Sequence, residues 1–173
     1  IITTLSSAAG NGLNNARLIL HHKYKKNHLN GDYNLLVIGI SVVLFLTGIV
    51  AGCFLHLGIY DIAMFVLISW LGFLRLYLSV FFRLQLNYQG ILLLNGLLSG
   101  GYVLTLWGLT VENELFMHWY WIYFLAELIA CSYLIKSTKF YTEPWERTSL
   151  FPVLCKSFGW LCYLTFLGSL LNY

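Results

Sequence analysis

The sequence predicts an all-α protein, a polytopic bundle of about five transmembrane helices built from repeated helical hairpins. Of its 173 residues, 59% are hydrophobic and only 10% are charged, whereas a soluble domain carries about 25% charged residues. Five long apolar runs follow one another, and about 20 helical residues are enough to cross the roughly 30 Å hydrocarbon core. Transmembrane β-strands are excluded because they need only about 10 residues and alternate in polarity.

The chain is predicted to start with a basic cytoplasmic leader at 1–34, followed by a transmembrane bundle at 35–173. Residues 1–12 are rich in Thr, Ser, Gly and Asn and are expected to be flexible. Residues 13–29 mix leucines with Arg17 and three lysines, a pattern that favours a short interfacial helix on an anionic leaflet. The alternative is a frayed basic leader that only enforces orientation.

The apolar runs carry at most one formal charge each. They cover residues 35–57, 62–82, 88–109, 116–135 and 150–171. Basic residues precede the first run and occupy the loops on the same side, whereas the loops on the other side are acidic. The positive-inside rule therefore predicts a multi-pass membrane protein with a cytoplasmic N-terminus and its C-terminus on the opposite side.

Two spans contain a single central charge of opposite sign. Arg75 lies in the second span and Glu127 in the fourth, at depths that differ by about 3 Å at 1.5 Å per residue. An unpaired charge near the bilayer centre costs about 2.5–3.5 kcal/mol on insertion scales. An intramembrane ion pair is therefore predicted, either as a structural clamp between helices or as part of a polar path or switch.

Small residues recur one helical turn apart in two spans. Gly48 and Gly52 form a GxxxG pattern in the first span, and Gly96 and Gly100 form another in the third. Such residues let helix backbones approach closely in lipid. They are predicted helix-packing positions, either within one bundle or at a seam with other membrane helices, in a homo-oligomer or a larger complex.

A group of titratable residues is predicted at the outer rim of the bundle. Its members are His56, Asp61, Glu112, Glu114 and His118. Imidazole titrates near pH 6.5 and carboxylates near pH 4, so acidification would convert this rim from acidic to cationic. The cluster is either a pH sensor or a set of ordinary interfacial polar residues.

Motifs for other kinds of chemistry are absent from the sequence. It has no GxSxG, no GxxxxGK and no HExxH pattern, and no CxxC pair among its four cysteines, so neither enzymatic activity nor a metal or cofactor is predicted. The carboxylates Asp32, Glu143 and Glu146 are expected to lie in loops without partners. Because no basic stripe is interleaved with exposed aromatic residues, nucleic acid is excluded, and the predicted partners are the lipid bilayer and other membrane helices.

Residues 90–101 read Gly-Ile-Leu-Leu-Leu-Asn-Gly-Leu-Leu-Ser-Gly-Gly, and the spans are predicted to repeat with an offset of about 52 residues. Over roughly 35–136 the chain resembles the HdeD-type family of small bacterial membrane proteins. The resemblance implies glycine-rich transmembrane hairpins and a non-enzymatic role in stress or acid tolerance; the family usually shows six spans, whereas five are predicted here. The residues themselves leave two alternatives, an accessory subunit of a larger membrane complex and a small transporter that uses Arg75 and Glu127.

Overall fold

A computed structural model describes residues 2–24, 30–110, 120–138 and 147–171. Across these ranges the chain forms six helices and no β-strand. The helices are α1 (Ile2–Tyr24), α2 (Asn30–Phe54), α3 (Ile59–Leu84), α4 (Tyr88–Thr110), α5 (Tyr120–Thr138) and α6 (Phe151–Leu171). For the part of the chain that is described, the predicted all-α class is confirmed.

The helices α2 to α6 overlap the five predicted spans. Three segments of the described chain are long and apolar enough to cross a membrane, namely Gly31–Phe54, Ile59–Leu84 and Phe151–Gly168. This agrees with the predicted membrane localisation, while the count of five crossings stays a prediction. The predicted beginning of the fourth span, at 116–119, lies outside the described residues.

The N-terminal segment differs from its prediction. Residues 1–12 were expected to be flexible, but Ile2–Tyr24 is one continuous helix. Helix α1 packs against both α3 and α6, and Leu13 and Ala16 are fully buried. The prediction of a flexible segment is therefore wrong, and residues 13–24 belong to the packed bundle rather than to a separate leader.

Small residues explain how such a polar helix packs so closely. A Cβ atom added to Gly10 would lie 2.7 Å from the Cβ of Leu76 on α3, and one added to Gly12 would lie 3.0 Å from the Cα of Cys162 on α6. Helices in lipid associate through this kind of close backbone approach. The Ser, Gly and Asn content that resembles a flexible leader is therefore also suited to a helix surrounded by protein.

Helix α3 lies at the centre of the bundle. It packs against α1, α2 and α5, and more lightly against α4. Its side chains Phe73, Tyr77, Leu78 and Val80 are fully buried. A helix that is apolar on nearly all sides is typical of a position inside a bundle, so α3 is the element against which the others are placed.

Contacts between helices give their relative directions. On α1, Gly10 lies against Leu76, and Arg17 lies 4.2 Å from the ring centroid of Phe81. Because residues that come later in α1 contact residues that come later in α3, the two helices are parallel.

The neighbours of α3 on its other sides follow an up-and-down order. Tyr60 pairs with Trp121, and Phe82 pairs with Tyr133, so α3 and α5 are parallel. A Cβ on Gly48 would meet Val66 on α3, and a Cβ on Gly52 would meet Ile62, so α2 is antiparallel to α3. This order agrees with helical hairpins, whereas the 52-residue sequence repeat stays a prediction.

Candidate functional site

The two central charges predicted from the sequence lie in contact. The Nε of Arg75 on α3 donates a hydrogen bond of 2.8 Å to Oε2 of Glu127 on α5. The Glu127 side chain is 1% exposed and the Arg75 side chain 19% exposed. The parallel packing of α3 and α5 explains the pairing, because it places positions at matched depth next to each other.

Two tyrosines extend this pair onto a third helix. The hydroxyl oxygens of Tyr102 on α4 and Tyr123 on α5 lie 2.6 Å apart, and both tyrosines are close enough to Arg75 to interact with it electrostatically. Tyr123 stands four residues before Glu127, which places both on one face of α5. We call Arg75, Glu127, Tyr102 and Tyr123 the polar cluster.

Close packing of small residues sets the position of α4 in the cluster. A Cβ atom added to Gly101 would lie 2.6 Å from the Cβ of Ala126 on α5. This contact brings the neighbouring Tyr102 onto Tyr123, with ring centroids 5.1 Å apart. The sequence prediction missed both tyrosines, and the one available signal was the spacing of Tyr123 from Glu127.

The guanidinium of Arg75 keeps donors that the cluster does not use. Its Nε is bonded to Glu127, whereas its two terminal nitrogens make no hydrogen bond to any residue in the described ranges. A guanidinium has five N–H donors in a planar fork that matches an oxyanion. Chemically, the cluster therefore offers a partly exposed cationic fork that is neutralised by a buried carboxylate.

Further polar groups lie between the cluster and α1. Ser79 lies one turn after Arg75 on α3, and Asn14 of α1 donates from Nδ2 to the Leu76 carbonyl oxygen at 3.0 Å and to Ser79 Oγ at 3.3 Å. Asn14 is 1% exposed, and its Oδ1 has no hydrogen-bond partner among the described residues. Polar groups therefore run from α1 across α3 to α5 inside the bundle.

The face of α4 that carries Tyr102 is also polar. Asn95 and Ser99 are seven and three residues before Tyr102, and both are exposed. Residues at these spacings share one side of a helix. Uncovered polar side chains are unfavourable against lipid, so this side of α4 is suited to face a polar space or another polar surface.

No protein-family model, curated protein or solved structure matches the chain. The resemblance to the HdeD-type family therefore stays a prediction, and the site is interpreted from its own geometry.

The predicted outer-rim cluster is described only in part. His56 lies in the turn between α2 and α3 with a positive φ of 53°, and Asp61 lies in the first turn of α3; both side chains are exposed. Glu112, Glu114 and His118 lie outside the described residues. The pH-sensing role of this group stays a prediction.

The two GxxxG patterns have different surroundings. A Cβ on Gly48 or Gly52 would lie 2.5 Å from a side-chain atom of α3, so this pair packs within the bundle. Around Gly96 and Gly100 an added Cβ would meet nothing within 4 Å. These two glycines line an apolar groove of about 680 Å³ between α4 and α5, and Gly101 makes the close contact on α4 instead.

A second buried charge was not anticipated as a packing element. Arg17 of α1 is 5% exposed and donates from Nη1 to the Tyr77 hydroxyl. Its guanidinium carbon lies 4.8 Å from the ring centroid of Tyr33 and 4.2 Å from that of Phe81. These aromatic faces favour a cation electrostatically, so Arg17 joins α1 to α2 and α3 rather than only setting orientation.

Asp32 also differs from its prediction as a loop carboxylate without a partner. It lies in the first turn of α2, is fully buried, and accepts hydrogen bonds from the Thr148 backbone N–H at 2.7 Å and from the Thr148 hydroxyl. Thr148 Oγ1 in turn accepts from the Leu150 N–H at 3.2 Å. The beginning of α2 is therefore tied to the beginning of α6. The other two of these carboxylates, Glu143 and Glu146, lie outside the described residues.

Proposed function

We propose that the chain is a non-enzymatic integral membrane protein that binds a small polar solute at the polar cluster and moves it across the bilayer. The observation that supports this most strongly is the partial exposure of Arg75 beside a fully buried Glu127. A purely structural clamp is the competing interpretation. In a clamp, unused donors at mid-membrane depth are costly, because lipid supplies no acceptor.

The proposed topology has six crossings, since α1 is included. Its 23 residues extend about 34 Å at 1.5 Å per residue, enough for the roughly 30 Å hydrocarbon core. Because α1 is parallel to α3 and packed along it, any bilayer crossed by α3 also encloses most of α1. The buried polar residues of α1, Ser6, Asn14 and Arg17, are tolerated there because they face protein.

This topology changes the predicted position of the N-terminal region. The last turns of α1, α3 and α5 carry Lys23, Arg83 and Lys136, so the positive-inside rule puts these ends in the cytoplasm. The Ile2 end of α1 then lies on the opposite side of the membrane. The sequence alone predicted a cytoplasmic position for this end. The hydrogen bonds between Asp32 and Thr148 join the beginnings of α2 and α6, which supports a cytoplasmic beginning of α6 in this topology. The end of α6 on the opposite side stays a prediction.

Transport is tested with purified protein reconstituted into liposomes and a panel of labelled small anions, amines and neutral solutes. Wild type is expected to take up at least one solute faster than empty liposomes, and Glu127→Gln to abolish that uptake while keeping the helical circular dichroism spectrum. Arg83→Gln removes a positive charge from the exposed end of the same helix as Arg75 and serves as the matched control. Uptake of no solute, or full uptake by Glu127→Gln, would contradict the proposal.

An accessory subunit of a larger membrane complex is a second candidate. The supporting observation is the uncovered apolar groove beside Gly96 and Gly100, which can receive a helix from a partner or a second copy. Purification in mild detergent separates the candidates, since a subunit keeps a fixed stoichiometry with its complex. Replacing Gly96 with Leu is expected to release a partner without unfolding the chain.

Acid tolerance, which the family resemblance implies, requires a test in cells. Deleting the gene is expected to lower survival at low pH, and replacing His56 and His118 together is expected to matter more than replacing the buried Cys131. Equal survival of the deletion strain and wild type would count against this role.

A further inference from the structure

We infer that the solute is a small carboxylate anion bound by the two terminal nitrogens of Arg75, and that it enters together with a proton carried by Glu127. This inference rests on the proposed transport function and adds the substrate class and the coupling. Its starting point is that Glu127 contacts Arg75 through Nε alone, at 2.8 Å. The guanidinium edge formed by the terminal nitrogens is left for an oxyanion, which it binds bidentately.

The charge of the site supports entry with a proton. Without a solute, Arg75 and Glu127 sum to zero. Adding a carboxylate would leave a net negative charge in a region of low dielectric, which is unfavourable. If Glu127 takes one proton from water on its carboxylate oxygen, the sum returns to zero and Arg75 pairs with the solute instead. One proton and one anion then occupy the site, and both leave together.

The groups around Glu127 are compatible with this exchange. Arg75 faces it from α3, Tyr102 and Tyr123 lie beside the pair on α4 and α5, and Cys131 lies one turn after it on α5. Arg75 is the only permanent cation among these neighbours. Protonated Glu127 has a hydroxyl to donate, and the tyrosine hydroxyls are further donors to an oxyanion.

Depth argues for a solute that dissolves in water. Arg75 lies nine residues before the Leu84 end of α3, about 13 Å along the helix at 1.5 Å per residue. A lipid headgroup stays at the interface, so its charge would have to move far into the hydrocarbon region. A fatty acid carboxylate has the same chemistry from a lipid source, and the experiment distinguishes the two.

The first experiment measures binding of pyruvate to the purified full chain by calorimetry between pH 5 and pH 8. Wild type is expected to bind more tightly as the pH falls, because protonation of Glu127 releases Arg75. Glu127→Gln mimics the protonated state, so at pH 8 it is expected to bind about tenfold more tightly than wild type, consistent with coupling at close charge pairs, and to lose the pH dependence. Weaker binding by Glu127→Gln would overturn the inference.

Arg75 is tested with two variants, since Arg75→Gln alone leaves a buried carboxylate without its partner. The double variant Arg75→Gln/Glu127→Gln removes both charges and is expected to fold but not to bind pyruvate. Arg83→Gln is expected to bind like wild type. Binding by the double variant at the wild-type affinity would show that Arg75 is not the anion site.

The solute panel separates failure of this inference from failure of the proposed function. Uptake of pyruvate into proteoliposomes without a change in membrane potential supports coupling to one proton. Binding of octanoate but not of pyruvate supports the carboxylate site with a lipid source. Uptake of an amine or neutral solute that depends on Glu127 overturns the carboxylate assignment and leaves transport standing, whereas uptake of no solute overturns both.

Discussion

Replacing Glu127 with Ala tests whether the α3–α5 ion pair stabilises the bundle. The substitution removes the carboxylate that accepts from Arg75 Nε at 2.8 Å and leaves the guanidinium partly enclosed between helices. Breaking a buried pair by removing one partner costs about 3–5 kcal/mol. Because Arg75 is 19% exposed, the lower end of that range, about 3 kcal/mol, is expected.

Two milder substitutions are compared with Glu127→Ala. Glu127→Gln keeps a carbonyl oxygen that accepts a hydrogen bond from Arg75, but the bond is no longer charge-assisted. The substitution is therefore expected to lower the free energy of unfolding by about 1–2 kcal/mol. Arg83→Gln, at an exposed position of the same helix, is expected to stay within about 0.5 kcal/mol of wild type. The free energy of unfolding is expected to be highest for wild type and Arg83→Gln, lower for Glu127→Gln and lowest for Glu127→Ala.

The assay is reversible unfolding of the purified protein in mixed detergent and SDS micelles, followed by tryptophan fluorescence and circular dichroism. If the free energy of unfolding of Glu127→Ala is within about 0.5 kcal/mol of that of wild type, the size expected of a surface substitution, the ion pair does not hold α3 and α5 together. The cluster would then have to be explained without a buried charge.

Of three further predictions, the first and third use the same unfolding assay and the second uses limited proteolysis. Gly48→Ala is expected to cost about 1–3 kcal/mol through overpacking against α3, whereas Gly96→Ala, where the added atom meets nothing, is expected to be neutral; equal costs would contradict the difference in packing. Gly10→Leu is expected to separate α1 from α3 and to increase proteolysis of α1, and unchanged protection would argue against the close contact. Asp32→Ala is expected to cost about 1.5–3 kcal/mol, since it removes a buried charged acceptor from two donors on Thr148. Thr148→Val is expected to cost less because the backbone N–H bond is kept.

The apolar runs predicted α2 to α6 because the formation of a membrane-spanning helix depends on the sequence of that segment alone. A segment that must satisfy its backbone in lipid has to be a long apolar helix, and its length can be read directly. The contact of Arg75 with Glu127 followed from the same reasoning, since matched depth is a matter of counting residues. These two results needed no information about which helix lies beside which.

The full length of α1 and its place in the bundle were missed because much of its surface contacts protein rather than lipid. The Nδ2 of its buried Asn14 and the guanidinium of Arg17 contact groups on α2 and α3, and hydropathy cannot detect such partners. The same limitation applies to Tyr102 and Tyr123, whose meeting depends on how α4 is rotated against α5. Spacing alone likewise cannot tell that Gly48 faces a helix and that Gly96 does not.

The enclosure of Arg17 has a consequence for biosynthesis. The rings around it belong to Tyr33 on α2 and to Tyr77 and Phe81 on α3, all of which leave the ribosome after α1. A segment with so many hydroxyl and amide groups has little tendency to partition into the bilayer by itself. Helix α1 is therefore expected to take its final place after α2 and α3 have been inserted, although it is synthesised before them.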